Sequence, residues 1–166
     1  DNTPPTVTCQ GNISVPANNL CQATLLDYTN TLTVNDLCTP TGNLTITQTP
    51  AIGSVLDLAS NPHNISFLVE DENGNSNTCS FNLTLIDTTM PNISCPTNQQ
   101  VFLDGNCDYA LADFSSLVTI TDNCSSLANI TTIQAPAIGT IIANHGTTQT
   151  ISIQATDEGG NVNSCS

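Results

Sequence analysis

The segments Ile65-Ser-Phe-Leu-Val-Glu70, Asp71-Glu-Asn-Gly-Asn75 and Phe81-Asn-Leu-Thr-Leu-Ile86 decide the fold class. The first and third carry large apolar residues at every second position, the period of a strand with one buried face. The middle one has the chemistry of a hairpin turn: Asp71 can bond backbone amides and Gly74 can take a positive φ. Working outward, Val7-Thr-Cys9, Leu44-Thr-Ile46 and Ile151-Ser-Ile-Gln-Ala155 alternate in the same way. Turn signals separate the runs at Pro4-Pro5, Thr41-Gly42, Pro50-Ala-Ile-Gly53 and Gly159-Gly-Asn161. No stretch repeats apolar residues at the helical period. About seven short strands per copy of the motif fit an immunoglobulin-like β-sandwich. With no Trp, two Tyr and four Phe, its core must be built mainly from Val, Ile and Leu.

The sequence is an internal repeat. Cys9, Cys21, Cys38 and Cys79 recur as Cys95, Cys107, Cys124 and Cys165, each 86 residues later. The same offset relates Asp36 to Asp122, Gly53 to Gly139 and Asp71 to Asp157, and no gap is needed. The expected organisation is all-β: two tandem immunoglobulin-like β-sandwich domains in a rod, residues 1–86 and 87–166. The counterpart of Phe81–Ile86 is missing from the second copy, so its last strand is expected from further repeats or from a neighbouring chain. The linker Asp87-Thr-Thr-Met-Pro91 is short and contains Pro, so it is expected to be stiff. A rod of roughly 70–80 Å follows from the rise of a strand.

Charge excludes several functions. The chain has fourteen acidic residues and no Lys or Arg, for a formal net charge of −14. Phosphate cannot be clamped by a cationic side chain, so nucleic acid is not an expected partner. A polybasic membrane contact is excluded, and no apolar run is long enough to span a bilayer. Apolar residues make up 38% of the chain, which separates it from a disordered polyelectrolyte. Asn, Ser and Thr account for 61 of 166 residues, so the surface is neutral and polar rather than ionic. The lack of basic residues also removes every trypsin site, which suits long exposure outside cells.

Four cysteines per copy, spaced widely and without a CxxC pair, argue for disulfides in an oxidising compartment rather than zinc. Each copy allows three pairings. The expected one joins Cys9 to Cys79 and Cys21 to Cys38, and in the second copy Cys95 to Cys165 and Cys107 to Cys124; the other pairings remain open. The first bond joins the opening and closing strands, and the second closes a short loop.

The order of these motifs resembles the hyalin repeat, or HYR domain. The resemblance is carried by Asp1-Asn-Thr-Pro-Pro5, Cys9, Asp36-Leu-Cys38, Pro50-Ala-Ile-Gly53, Asp71-Glu-Asn-Gly-Asn75 and Cys79-Ser-Phe81. The second copy has Asp87-Thr-Thr-Met-Pro91, Cys95, Asp122-Asn-Cys124, Pro136-Ala-Ile-Gly139 and Asp157-Glu-Gly-Gly-Asn161. It implies an immunoglobulin-like fold, an extracellular or cell-surface setting, tandem arrays in adhesive or structural proteins, and no catalysis. The absence of basic residues and the few aromatics depart from the family pattern.

Two sets of side chains are candidate sites. Sequons occur at Asn12, Asn43, Asn64, Asn82, Asn92, Asn123 and Asn129. Asn43, Asn64, Asn82 and Asn92 each precede an apolar strand residue, so they should face solvent if Leu44, Ile65, Leu83 and Ile93 face inward. Asn123 also belongs to the Asp-Asn-Cys motif. Asp87-Thr88-Thr89 resembles a bacterial O-glycosylation motif and makes Thr88 a candidate. The second set is Asp36, Asp71, Asp87, Asp122 and Asp157. Calcium takes six to eight oxygens and would offset the repulsion of a chain without cations; the alternative is plain turn chemistry.

Catalysis is not expected. His63 and His145 are not equivalent in the two copies, and a catalytic His needs a positioned partner. Glu70, Asp71 and Glu72 could imitate a glycosidase pair, but such a site needs separated carboxylates and usually aromatic platforms. The expected function is therefore a structural unit of a secreted fibre or stalk, whose partners are copies of itself, further repeats and covalent glycans. An adhesin module binding glycans or surfaces, with calcium as a candidate mediator, is the alternative. Its tip should carry a repeat-breaking insertion or an exposed aromatic patch; neither is expected in two copies that align without a gap, which favours a spacer. An accessory domain of a secreted enzyme is the third reading.

Overall fold

The computed structural model describes residues 1–143 and 146–166, so the candidate His145 lies outside the described residues. The chain is all-β and divides into two compact units, Asp1–Ile86 and Asp87–Ser166.

In the first unit the strands are β1 (Thr6–Thr8), β2 (Ile13–Pro16), β3 (Gln22–Thr24), β4 (Thr33–Asn35), β5 (Thr45–Thr49), β6 (Val55–Asp57), β7 (His63–Glu70) and β8 (Ser76–Ile86). The main sheet has the order β2-β8-β7-β5, while β1 pairs with β4 and β3 with β6. The β7–β8 hairpin runs in register from Glu70 opposite Ser76 to His63 opposite Leu83. Its turn is closed by Asp71, whose Oδ1 accepts from the amides of Asn73 (2.9 Å) and Asn75 (2.8 Å). Gly74 sits at φ 86° in the same turn, a conformation that costs an L side chain energy.

The alternation sorts the two faces. Ile65, Phe67, Val69, Phe81, Leu83 and Leu85 are all at most 3% exposed. Leu25 and Leu56 pack against most of them, and each such buried side chain contributes about 1.5–3 kcal/mol. Phe81 is the aromatic centre: Tyr28 meets its ring edge-on at 5.4 Å, and Phe67 stacks at 6.1 Å.

β8 also defines two poles. It starts at the Asp71 turn and runs eleven residues to Ile86, roughly 33 Å at the rise of a strand. At the Ile86 pole, β2 lies parallel to β8 with Pro16 beside Ile86, and the Ala17 amide donates to the Ile86 carbonyl at 2.8 Å. The turn from Asn18 to Cys21 follows directly, so Cys21 lies at the pole where the chain leaves the unit. Cys38 lies at the other pole, beside Asp36, which neighbours Asp71.

This separation corrects one expected pairing. Cys9–Cys79 and Cys95–Cys165 are disulfides, with Cα atoms 5.7 and 5.6 Å apart. Cys21–Cys38 and Cys107–Cys124 are not formed: Cys38 and Cys107 are exposed free thiols, whereas Cys21 and Cys124 are disulfide-bonded. A disulfide needs Cα atoms within about 7 Å. Closeness in sequence misled here, because the chain crosses the whole unit between Cys21 and Cys38.

The second unit contains β9 (Asn92–Ser94), β10 (Asp108–Ala110), β11 (Thr119–Thr121), β12 (Thr131–Ala135), β13 (Ile141–Ala143), β14 (Ser152–Thr156) and β15 (Val162–Cys165). β12, β14 and β15 form one sheet, β9 pairs with β11, and β10 with β13. Its core is smaller, centred on Ile93, Ile153 and Ala155, because Phe67 and Val69 are replaced by Ile153 and Ala155. The side that Phe81, Leu83 and Leu85 close in the first unit is here a cleft, lined in part by Val101, Phe102, Leu103, Ile151 and Ile153. Phe102 is 91% exposed.

Candidate metal centres

Each unit gathers three carboxylates from three separate segments. Asp1 comes from the entering chain, Asp36 follows β4, and Asp71 follows β7. One carboxylate oxygen from each lies within 4.8 Å of the others. The second unit repeats the group with Asp87, Asp122 and Asp157, within the same 4.8 Å. The convergence follows from strand pairing. β1 is antiparallel to β4 with Thr6 opposite Asn35, which brings the residues before β1 to the residue after β4.

The second oxygens give the sites their character. Asp36 Oδ1 accepts from the amides of Cys38 (3.0 Å) and Thr39 (2.6 Å), and Asp122 Oδ1 from Cys124 (2.9 Å) and Ser125 (2.7 Å). Asp87 Oδ1 accepts from Thr89 at 3.0 Å. Asp36 Oδ2, Asp87 Oδ2 and Asp122 Oδ2 are buried and have no hydrogen-bond partner. Asp87 itself is only 8% exposed. Unpaired buried anionic oxygen is costly, and the sequence has no Lys or Arg to offset it.

Asp71 and Asp157 are each secured by the side-chain amide of the Asn that directly follows the positive-φ Gly of the turn. Asn75 Nδ2 donates to Asp71 Oδ2 (2.8 Å) and to the Asp1 carbonyl (3.2 Å). Asn161 Nδ2 makes the same two bonds, to Asp157 Oδ2 (2.9 Å) and the Asp87 carbonyl (3.2 Å). The Asn75 side chain holds the Asp71 carboxyl below its ordinary value, with turn amides adding to this and burial opposing it. Asp71 is therefore charged at neutral pH. The oxygen-only donor set matches a hard divalent cation such as calcium, for which three carboxylates supply part of a six-to-eight oxygen shell.

Asp1 is the one member of the two groups that the sequence candidates do not include. The signal was present, since the 86-residue offset equates Asp1 with Asp87. Asn75 and Asn161, which lock the groups, look in the sequence like ordinary turn residues.

The remaining candidates are dispersed. Asn12, Asn43, Asn64, Asn92, Asn123, Asn129 and Thr88 are exposed, and Asn82 is half-buried. Asn64 points outward while Ile65 is fully buried. Asn43 Nδ2 donates to Glu72 Oε1 at 2.8 Å, and Asn12 Oδ1 accepts from the Asn82 amide at 2.9 Å. His63 Nε2 lies 2.9 Å from the Asp57 carbonyl oxygen. Among the described residues, no helix is long and apolar enough to cross a membrane.

No curated protein matches the sequence. Among solved structures, the chain is similar to the protocadherin gamma B7 extracellular cadherin domains 1–4, with a TM-score of 0.43 and 15% identity over 98% of this chain and 47% of that one. It is also similar to the human desmocollin-1 ectodomain, with a TM-score of 0.37 and 16% identity over 99% of this chain and 36% of that one. The chain thus spans less than half the length of these ectodomains. In sequence, the HYR domain family matches residues 1–85. The chain belongs to the HYR domain family.

Proposed function

We propose that this chain is two successive units of a secreted tandem-repeat protein that builds an extracellular fibre or stalk. Family membership and the disulfides point to an extracellular or cell-surface protein and an adhesion-type domain. The observation that carries the finer reading is the polarity of the first unit: the chain enters beside the Asp71 turn and leaves roughly 33 Å away at Ile86. A unit with entry and exit at opposite poles lengthens an array each time it is repeated. The work is mechanical, and no reacting group is needed for it.

In this reading the Asp1–Asp36–Asp71 and Asp87–Asp122–Asp157 groups hold calcium. The ion supplies positive charge to a chain that has none of its own in Lys or Arg, and cross-braces three segments at the entry pole. The residues themselves orient one another through the Asn75 and Asn161 amides. Glycans on the exposed sequons, with Asn64 and Asn92 foremost, and on Thr88 form a neutral coat. The cleft of the second unit takes a strand with the alternation of Phe81–Ile86, supplied by a further length of repeat.

Electron microscopy of native, unreduced material tests this. Fibres with an axial period of one or two units are expected. Separate short rods would overturn the fibre reading. Intact-mass measurement of the same material checks the glycans, and a mass equal to that of the bare polypeptide would remove them from the proposal.

A further inference from the structure

The two free thiols occupy complementary positions. Cys38 and Cys107 are exposed. Their repeat counterparts, Cys124 and Cys21, are both disulfide-bonded. Each position is therefore oxidised in one copy of the repeat and reduced in the other.

The two positions are also built alike in both units. In the first, the Cys21 amide donates to the Asn18 carbonyl at 2.9 Å, and Asn18 Oδ1 accepts from Leu20 and Gln22. In the second, the Cys107 amide donates to the Asp104 carbonyl at 3.0 Å, and Asp104 Oδ1 accepts from Asn106 and Asp108. Both cysteines stand at the turn with positive φ, 60° and 64°, where a non-glycine residue is uncommon. The loop position is equally constant, with Cys38 and Cys124 each donating an amide to the Asp two residues before. The turn position lies at the exit pole of a unit and the loop position at the entry pole. Neither can reach the other inside one unit, and the remaining cysteines, Cys9–Cys79 and Cys95–Cys165, are already paired.

We propose that Cys107 of one chain forms a disulfide with Cys38 of a second copy, exit pole to entry pole. This inference rests on the array reading, and supplies its covalent bond. A head-to-tail link is heterologous, so it propagates instead of closing a dimer. A Cys38–Cys38 link would instead set two Asp1–Asp36–Asp71 groups face to face, with like charges opposed. The oxidant is a small-molecule disulfide. The Cys107 thiolate attacks one of its sulfurs, forming a mixed disulfide and releasing one thiol. The Cys38 thiolate of the second copy then attacks the Cys107 sulfur and releases the other thiol. Two protein thiols lose two electrons and two protons, and one small disulfide becomes two thiols.

The test uses the full chain in a glutathione redox buffer, followed on non-reducing gels and by peptide mapping with an Asp-specific protease. The unaltered chain is expected to give a ladder of oligomers containing a Cys38–Cys107 peptide. Cys38→Ser and Cys107→Ser, each alone, are expected to remain monomeric, and their mixture to stop at a dimer. Because both chains are strongly acidic, linkage should speed up with ionic strength. A persistent monomer, a bond within one chain, or dimers from either variant alone would overturn the proposal. Native fibres that run as monomers on the same gel would overturn the link and leave the array reading standing. Linked oligomers that never appear as fibres would overturn the array reading and leave the link.

Discussion

Gln48 bridges Tyr28 to the rest of its own loop: its Oε1 accepts from the Tyr28 amide at 2.9 Å, and its Nε2 donates to the Leu26 carbonyl at 2.9 Å. Gln134 repeats this bridge with the Phe114 amide (2.7 Å) and the Ala112 carbonyl (3.0 Å). Both glutamines are more than nine-tenths buried. The bridge fixes the loop that carries Tyr28 onto the Phe81 ring. Gln48→Leu is expected to cost about 1–3 kcal/mol, since it strands a buried amide and a buried carbonyl. Urea unfolding measures it, and an unchanged midpoint would show that water satisfies both groups equally well.

The metal reading predicts that calcium stabilises the chain. At a free concentration near one hundred times the dissociation constant, the gain is about 2.7 kcal/mol per site that binds only the folded state. Asp122→Asn should abolish the gain from the second unit. It should not weaken the ion-free protein, since it also removes a buried unpaired charge. Thermal unfolding with calcium and with a chelator compares the two. Equal melting curves for the unaltered chain would sink the site.

Acid should destabilise both units through matched carboxylates. The Thr29 hydroxyl and amide hold Asp27 below its ordinary value, and Ser115 does the same for Asp113. A carboxyl with a depressed folded pKa contributes stability above its unfolded value of about 3.9. That contribution disappears as pH falls through the folded pKa. The urea midpoint should therefore drop below about pH 4, and Asp27→Asn with Asp113→Asn should flatten the drop. A double variant with the same acid profile as the unaltered chain would assign the effect to other carboxylates.

The Cys9–Cys79 bond closes a loop with a sequence separation of 70. Chain entropy gives it about 4 kcal/mol. Cys9→Ala with Cys79→Ala is expected to lose about that much in denaturant unfolding. The exposed Cys38 offers an internal comparison, because Cys38→Ser should leave monomer stability unchanged.

A peptide with the sequence Ser80–Ile86 should enter the cleft of the second unit and slow amide exchange in β14. A scrambled peptide of the same composition should not. Equal exchange with both peptides would show that the cleft does not select a strand by its alternation.

The strands around Ile65, Phe67, Phe81 and Leu83 were legible because period two is a local property: each inward residue implies its neighbours face outward. The repeat was legible for a similar reason, since an offset of 86 needs no knowledge of where the chain goes. Gln48 and Gln134 carried the same signal but looked like ordinary polar residues. Only the folded course of the loops between β3 and β4 and between β10 and β11 makes them buried clamps.

By itself, then, the sequence determined the β class, the duplication, the acidic and cation-free surface, and which residues alternate inward. Tertiary structure decided what meets at each pole. Asp1, Asp36 and Asp71 are separated by about 35 residues in sequence, yet strand pairing brings them within 4.8 Å. Cys21 and Cys38 are closer in sequence and end up at opposite poles, because β3 and β4 carry the chain across the sandwich between them. Spacing along a chain bounds only the greatest distance between two residues; register and direction of the strands set the actual one.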